Sequence, residues 1–197
     1  MKQLFWILLV LLANVALAQQ SARVSGLVNV EDGIVAGTRV AIHLVDSDGV
    51  WGYEVDSVLP VAGTFSVTVE PLPSEELRPF RSGAAVLPGL QNEYLVTPDD
   101  VNFAQARVHM YVDQNDNELF DREIDDFYIG VLSLEDPVGF FSLLYVDRDA
   151  TMTAIGVELT LRPGWNIFSV RFPEGASGPV YDIGPLVDDA VMDVFLP

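Results

Sequence analysis

The sequence predicts an all-β protein, an antiparallel β-sandwich with little helix, and three observations predict it. Apolar residues alternate with polar ones in several short runs, which is the two-residue period of strands half buried in a sheet. The runs are punctuated by Gly, Pro and Asp, with 15 Gly and 12 Pro in 197 residues. Helical signal is thin: only Ser74 to Leu77 and the stretch around Asp125 to Leu132 offer a turn or two, and neither sustains a 3.6-residue period.

In chain order, strands are expected at Arg23 to Val30, Thr38 to Asp46, Tyr53 to Leu59, Thr64 to Val69, Ala106 to Val112, Phe140 to Val146, Gly156 to Leu161 and Trp165 to Phe172, with one or two more near Val180 and Val191. Val40, Ile42 and Leu44 share one face of the second run, and Val108, Met110 and Val112 share one face of the fifth. Those triplets are core candidates, and His43, Arg107, His109 and Tyr111 fall on the opposite faces. Ser47-Asp48-Gly49 suits a hairpin, and Arg162-Pro163-Gly164-Trp165 has Pro and Gly where a type II turn needs them. Pro71 to Asp100 is the one long irregular stretch, read as a crossover between sheets or a linker that divides the domain.

Residues 1–18 read as a secretory signal peptide: Lys2, the apolar run Leu4 to Ala13, then Ala16-Leu17-Ala18 before Gln19. The apolar run is short of the roughly 20 residues that span a bilayer, so a retained anchor is the weaker reading. Residues 19–197 are expected to form a single elaborated β-sandwich domain in a secreted, periplasmic or cell-envelope setting. With no cysteine the fold is expected to stand on its core, with metal as the further support open to it, and without disulfides. Lys2 is the single lysine, so isopeptide crosslinks cannot form in the mature chain.

The formal charge is −19, and removing Lys2 makes it −20, with nine arginines against 29 acids. Such a surface repels nucleic acid and anionic lipid and attracts cations. Expected partners are other envelope or extracellular proteins, with glycans as an alternative, and no nucleic acid or direct membrane insertion.

Val24-Ser25-Gly26-Leu27-Val28, Gly37-Thr38-Arg39-Val40-Ala41-Ile42 and Gly63-Thr64-Phe65-Ser66-Val67 resemble the carboxypeptidase regulatory-like, or transthyretin-like, β-sandwich over about residues 23–70. Those modules are non-catalytic, so the resemblance implies an Ig-like sandwich without an active site. The later chain resembles secreted envelope proteins that carry an acidic loop and a late Pro-Gly-Trp-Asn turn, here Pro163 to Asn166.

The chemistry-bearing motif is the run Asp113-Gln114-Asn115-Asp116-Asn117-Glu118-Leu119-Phe120-Asp121, which fits D-x-[DN]-x-[DN] with an acid at the ninth place. It resembles the EF-hand-like loops of secreted calcium-binding repeats. Calcium takes six to eight oxygens, and Asp113, Asn115, Asn117, the Leu119 carbonyl, Asp121 and Glu123 or Asp125 are the candidate ligands. Two places depart from the pattern: Glu118 stands at the sixth, usually Gly, and Ile124 at the twelfth, usually a bidentate acid. The alternative is a solvated loop whose Asn and Asp serve the turns. Seven acids and one arginine lie between Asp113 and Asp126, which favours a neutralising cation.

No catalytic residues are assigned. His43 and His109 read as isolated histidines with no metal-site spacing, there is no G-x-S-x-G elbow, and a cysteine nucleophile is impossible. Trp51, Tyr53, Tyr94, Tyr111 and Trp165 could offer sugar-stacking faces, against the plainer reading that each packs its own strand. The expected function is a non-catalytic structural or interaction role stabilised by calcium, with a carbohydrate-binding module and an acid-dependent hydrolase as alternatives.

Overall fold

The computed structural model describes residues 19–30, 33–46, 51–90, 94–154 and 156–195, with the side chains of residues 51, 129–131 and 195 left aside. Fourteen strands account for most of these: β1 (Ala22–Val30), β2 (Thr38–Val45), β3 (Trp51–Val58), β4 (Thr64–Val69), β5 (Arg78–Pro79), β6 (Tyr94–Thr97), β7 (Asn102–Val112), β8 (Asp126–Leu134), β9 (Gly139–Val146), β10 (Ala150–Ala154), β11 (Val157–Leu161), β12 (Gly164–Arg171), β13 (Val180–Gly184) and β14 (Leu186–Phe195). The chain is all-β, as its alternation predicts. The helical turn expected near Ser74 is a 3-10 turn, Ser74–Glu76. The turn expected around Asp125 to Leu132 is instead β8, because Asp126 to Tyr128 pair with β7 and Ile129 to Leu134 pair with β14. The signal-peptide residues and the Ser47-Asp48-Gly49 hairpin lie outside the described residues, although the strands flanking that hairpin do pair, Val45 opposite Trp51.

One large sheet is organised around β7, whose 11 residues make it long enough to serve several neighbours. Along one edge it pairs with β2, Thr38 opposite Val112 through Val45 opposite Gln105, and then with β5. Its other edge is divided. β9 takes Phe103 to Ala106, and β8 takes Met110 to Val112. From this fork one branch runs β9, β12, β13 and the other runs β8, β14, β1, β4. The second branch curls until β4 lies near β3, which makes the large sheet nearly barrel-like. Within the wall β1 and β14 run parallel, and the other pairings of the branch are antiparallel.

Strand alternation then makes two cores. Val24, Ile42, Phe65, Met110, Met192 and Trp165 belong to the first, inside the curled wall. The second lies on the other face of β9 and β12: Leu143 and Tyr145 enter the first core, while Leu144 and Val146 enter the second. A small sheet, β11-β10-β6, supplies Tyr94, Met152, Leu159 and Leu161 to that second core. The irregular stretch after Pro71 contributes to both, with Leu72 in the first and Phe80, Ala85 and Leu87 in the second.

The Pro163-Gly164 turn ties the beginning of the described chain to this frame. Trp165 N–H donates to the Gln20 carbonyl at 2.7 Å, and Gln20 N–H donates to the Pro163 carbonyl at 3.1 Å. Gly164 has φ +100°, and a Cβ there would lie 2.2 Å from Gln20 N, so glycine is required twice over.

Candidate functional site

The acidic loop leaves β7 at Asp113 and returns into β8 at Asp126. Asp113 is buried, its N–H donating to the Gly37 carbonyl at 3.1 Å. Its carboxylate accepts from the N–H groups of Glu118 at 2.8 Å and Asn117 at 3.3 Å, which winds the chain around it. The same device repeats at shorter range. Asn115 Oδ1 accepts from Asn117 N–H at 3.1 Å, Asn117 Oδ1 from Leu119 N–H at 2.8 Å, and Asp121 Oδ1 from Glu123 N–H at 3.0 Å. These are Asx turns, the local bonding that Asn and Asp offer a backbone.

The far end is closed by Asp125. It is buried, and its two carboxylate oxygens accept from Gln114 N–H at 2.9 Å and Asp121 N–H at 2.6 Å, joining the start of the loop to its end. Glu123 and Ile124 are exposed. At the sixth place Glu118 adopts φ +63°, the left-handed conformation that glycine would take freely, and Asp116 has φ +56°. Among the described residues no three His, Asp or Glu side chains are grouped so as to hold a metal ion. The loop thus places Asp113, Asn115, Asn117, Asp121 and Asp125 along one winding of the chain, each side chain engaged with a backbone amide.

A second constellation lies beneath the loop, on the outer face of β2, β3 and β7. The histidines are not isolated as the sequence suggests: Ala41 sits opposite His109 and His43 opposite Arg107, so the two rings meet diagonally, 4.4 Å apart by centroid and edge to face. Both are buried, as is Tyr111. Phe120, from the middle of the acidic loop, closes over them, its ring 5.4 Å from His109, 5.6 Å from His43 and 5.2 Å from Tyr111. Phe127 of β8 completes the lid at 5.4 Å from His109.

Glu54 on β3 fastens loop to wall. One carboxylate oxygen accepts from His43 Nε2 at 2.9 Å and from Phe120 N–H at 2.9 Å. Burial alone would raise this carboxyl, but the bonds from His43, Phe120 and Ser57 outweigh it and hold Glu54 below the usual carboxylate range. His109 is pushed down to about 3, first by burial and then by the neighbouring His43, so it stays neutral. Burial, followed by the Glu54 charge, raises the Tyr111 hydroxyl well above its ordinary value. A second clasp sits at Glu118, whose carboxylate meets Arg39 Nη2 at 3.5 Å while Ser57 Oγ donates to its carbonyl at 3.5 Å.

This node is assembled from residues 43, 54, 109, 111 and 120, and no spacing in the chain announces it. Two signals were there to be used: both histidines fall on the non-core faces of strands, and Phe120 is a large apolar residue inside an otherwise acidic run. The aromatic residues considered for sugar stacking are mostly interior. Trp165 is fully buried with Nε1 donating to the Glu70 carbonyl at 2.7 Å, and Tyr94 and Tyr111 are buried too. Tyr53 is exposed, and the Trp51 side chain lies outside the described residues. No protein-family model matches the chain, and comparison with curated proteins and with solved structures yields no significant match.

Proposed function

We propose that this protein is a secreted or envelope-associated, non-catalytic β-rich module with a structural or interaction role, and that its acidic loop takes up calcium as a stabilising ion. The observation that carries the reading is the winding of Asp113 to Asp125. Asp113, Asn115, Asn117 and Asp121 alternate along it, and Asp125 reaches back from the far end to close the loop. An ionised carboxylate has about four lone-pair sites, so one amide bond leaves each oxygen able to meet a cation. Calcium bound there would offset the mutual repulsion of seven acids and supply the oxygen-rich, flexible coordination that the ion prefers.

The non-catalytic part of the reading is supported by the covering of the histidine node. Groups whose acidity is strongly altered are often catalytic. Here His43, His109 and Tyr111 are 1 %, 5 % and 0 % exposed beneath Phe120, which leaves a substrate no access to them. The altered acidity of His109 and Tyr111 follows from their burial beneath the loop.

The test is a thermal melt with calcium and with a chelator, on the natural chain and on an Asp113→Asn, Asp121→Asn double variant. Calcium at 100 times its dissociation constant adds about 2.7 kcal/mol if only the folded state binds. For a chain of this size that raises Tm by roughly 5 to 10 °C. The variant is expected to lose most of the rise, and identical melts with and without calcium in the natural chain would overturn the assignment.

A further inference from the structure

We propose that the fork in the large sheet is a binding slot for a small amphipathic anion, a molecule with an alkyl or aryl body and a single carboxylate. The slot exists because, among the described residues, no strand pairs with β7 on one edge between Ala106 and Met110. β9 stops pairing at Ala106, β8 starts at Met110, and the two meet again only where Leu134 faces Gly139. Arg107 to His109 therefore border a triangular opening through the wall.

The opening has a volume of about 430 Å³, within the range of small-molecule sites. Its floor is Ala106, Val108 and Leu143, residues of the first core, so the slot penetrates the wall and is more than a dent on its surface. Phe140, Phe141 and Leu132 form its sides, and Val86 and Pro88 overhang it from the segment before β6. Of the lining side chains Val86 and Phe140 are 55 % and 41 % exposed, and next to Phe140 stand Phe172 and Val138, 47 % and 59 % exposed. They are grouped, with the Phe140 and Phe172 rings 6.4 Å apart and Phe172 N–H donating to the Val138 carbonyl at 2.9 Å. A contiguous apolar rim around a recess marks a binding surface more often than a bare one.

Charge selects the occupant. Among the described residues the polar side chains of the slot are Arg107 and Ser142, and Ser142 Oγ already donates to the Val86 carbonyl at 3.4 Å. Arg107 makes no ion pair among the described residues, although the chain carries 29 acids. Arg23, Arg78, Arg81 and Arg122 likewise make no ion pair among the described residues, but of these arginines Arg107 is the one that lines the recess, so its exposed guanidinium gives a carboxylate a partner there on a protein of formal charge −19. The ligand's body would fill the slot and its charged end would pair with Arg107 at the rim.

The experiment is calorimetric titration of the protein with dodecanoate and with dodecanol, each below the concentration at which it self-associates, in the presence of a calcium chelator. The chelator keeps this test separate from the acidic loop. Saturable one-to-one binding of dodecanoate is expected, weakened at least about tenfold by Arg107→Gln. The alcohol should bind more weakly and be insensitive to that substitution. Phe140→Asp, at the exposed rim, should weaken both ligands, and an unchanged melt of each variant would show that the fold is retained. Absence of saturable dodecanoate binding, equal affinity for the alcohol, or an Arg107→Gln variant that binds dodecanoate as before would each overturn the proposal.

Discussion

Glu118 holds a left-handed backbone at φ +63° in the place where loops of this pattern carry glycine. For a residue with a Cβ that conformation costs roughly 1 to 2 kcal/mol, and the pair of the exposed Glu118 carboxylate with the buried Arg39, long at 3.5 Å, returns only part of it. Glu118→Gly is therefore expected to stabilise the folded state by about 1 kcal/mol, read from urea unfolding with the slope unchanged. The motif and its departures were legible in the sequence because loop chemistry is local. The burial of Asp125 and the exposure of Glu123 were not, since both depend on where β8 begins. His109 offers a prediction of another kind. Its native pKa of about 3 lies below the ordinary 6.5, so between those values the unfolded state binds the proton and the folded state does not. Stability then falls as pH drops through that window, by about 1.4 kcal/mol per unit from this residue. Between roughly pH 6 and 5, above the ordinary carboxyl range, His109→Asn should flatten the decline by that amount in urea titrations at each pH. An equal decline in both proteins would mean the ring is not held neutral.

At the level of the strands, alternation was a good guide wherever one face meets a core and the other meets solvent. β4 shows why: Phe65, Val67 and Val69 are buried while Thr64, Ser66 and Thr68 are exposed, and its bounds match those expected. β8 was missed because its beginning is acidic and β14, its partner along most of its length, is far away in sequence, so little that is local separates it from a helical turn. β6 and β10 are short, and they become strands by pairing, β10 with β11, Ala150 opposite Leu161 through Ala154 opposite Val157, and β6 with β10, Thr97 opposite Thr151 through Tyr94 opposite Ala154. The most demanding pairing is β1 with β14. Its register shifts between Val24 and Gly26, and a Cβ on Gly26 would lie 1.8 Å from the Ala190 carbonyl oxygen. Gly26→Ala must push two backbones apart in the middle of the wall. It is expected to cost at least about 3 kcal/mol, at the upper end of ordinary single-residue effects, measurable as a fall in the urea midpoint.

Over the whole molecule, 29 acids face ten basic residues, and several arginines are already committed: Arg171 to Asp189 at 2.6 Å, Arg162 to Asp149 at 3.2 Å, and Arg148 to both Asp100 and Asp147. The surplus negative charge repels itself over distances that salt shortens, from about 30 Å at 0.01 M to under 8 Å above physiological strength. With calcium absent, raising NaCl from about 0.01 M to about 0.5 M should therefore raise Tm, the reverse of what loss of the ion pairs alone would produce. Net charge was readable from composition. The shape that bears it was not, because a curled sheet with a forked central strand is a property of pairings between distant segments. The parallel pairing of β1 with β14 carries a consequence for how such a chain comes to be made. During synthesis the first strand of the wall waits for the last, with Arg23 finding Leu186 and Val30 finding Val194 only when nearly all the chain is available. Until then β1 and β8 each lack the neighbour that separates them in the finished wall. A nascent chain in that state cannot lock early into its final form and, if stalled, leaves two bare edges open to other chains.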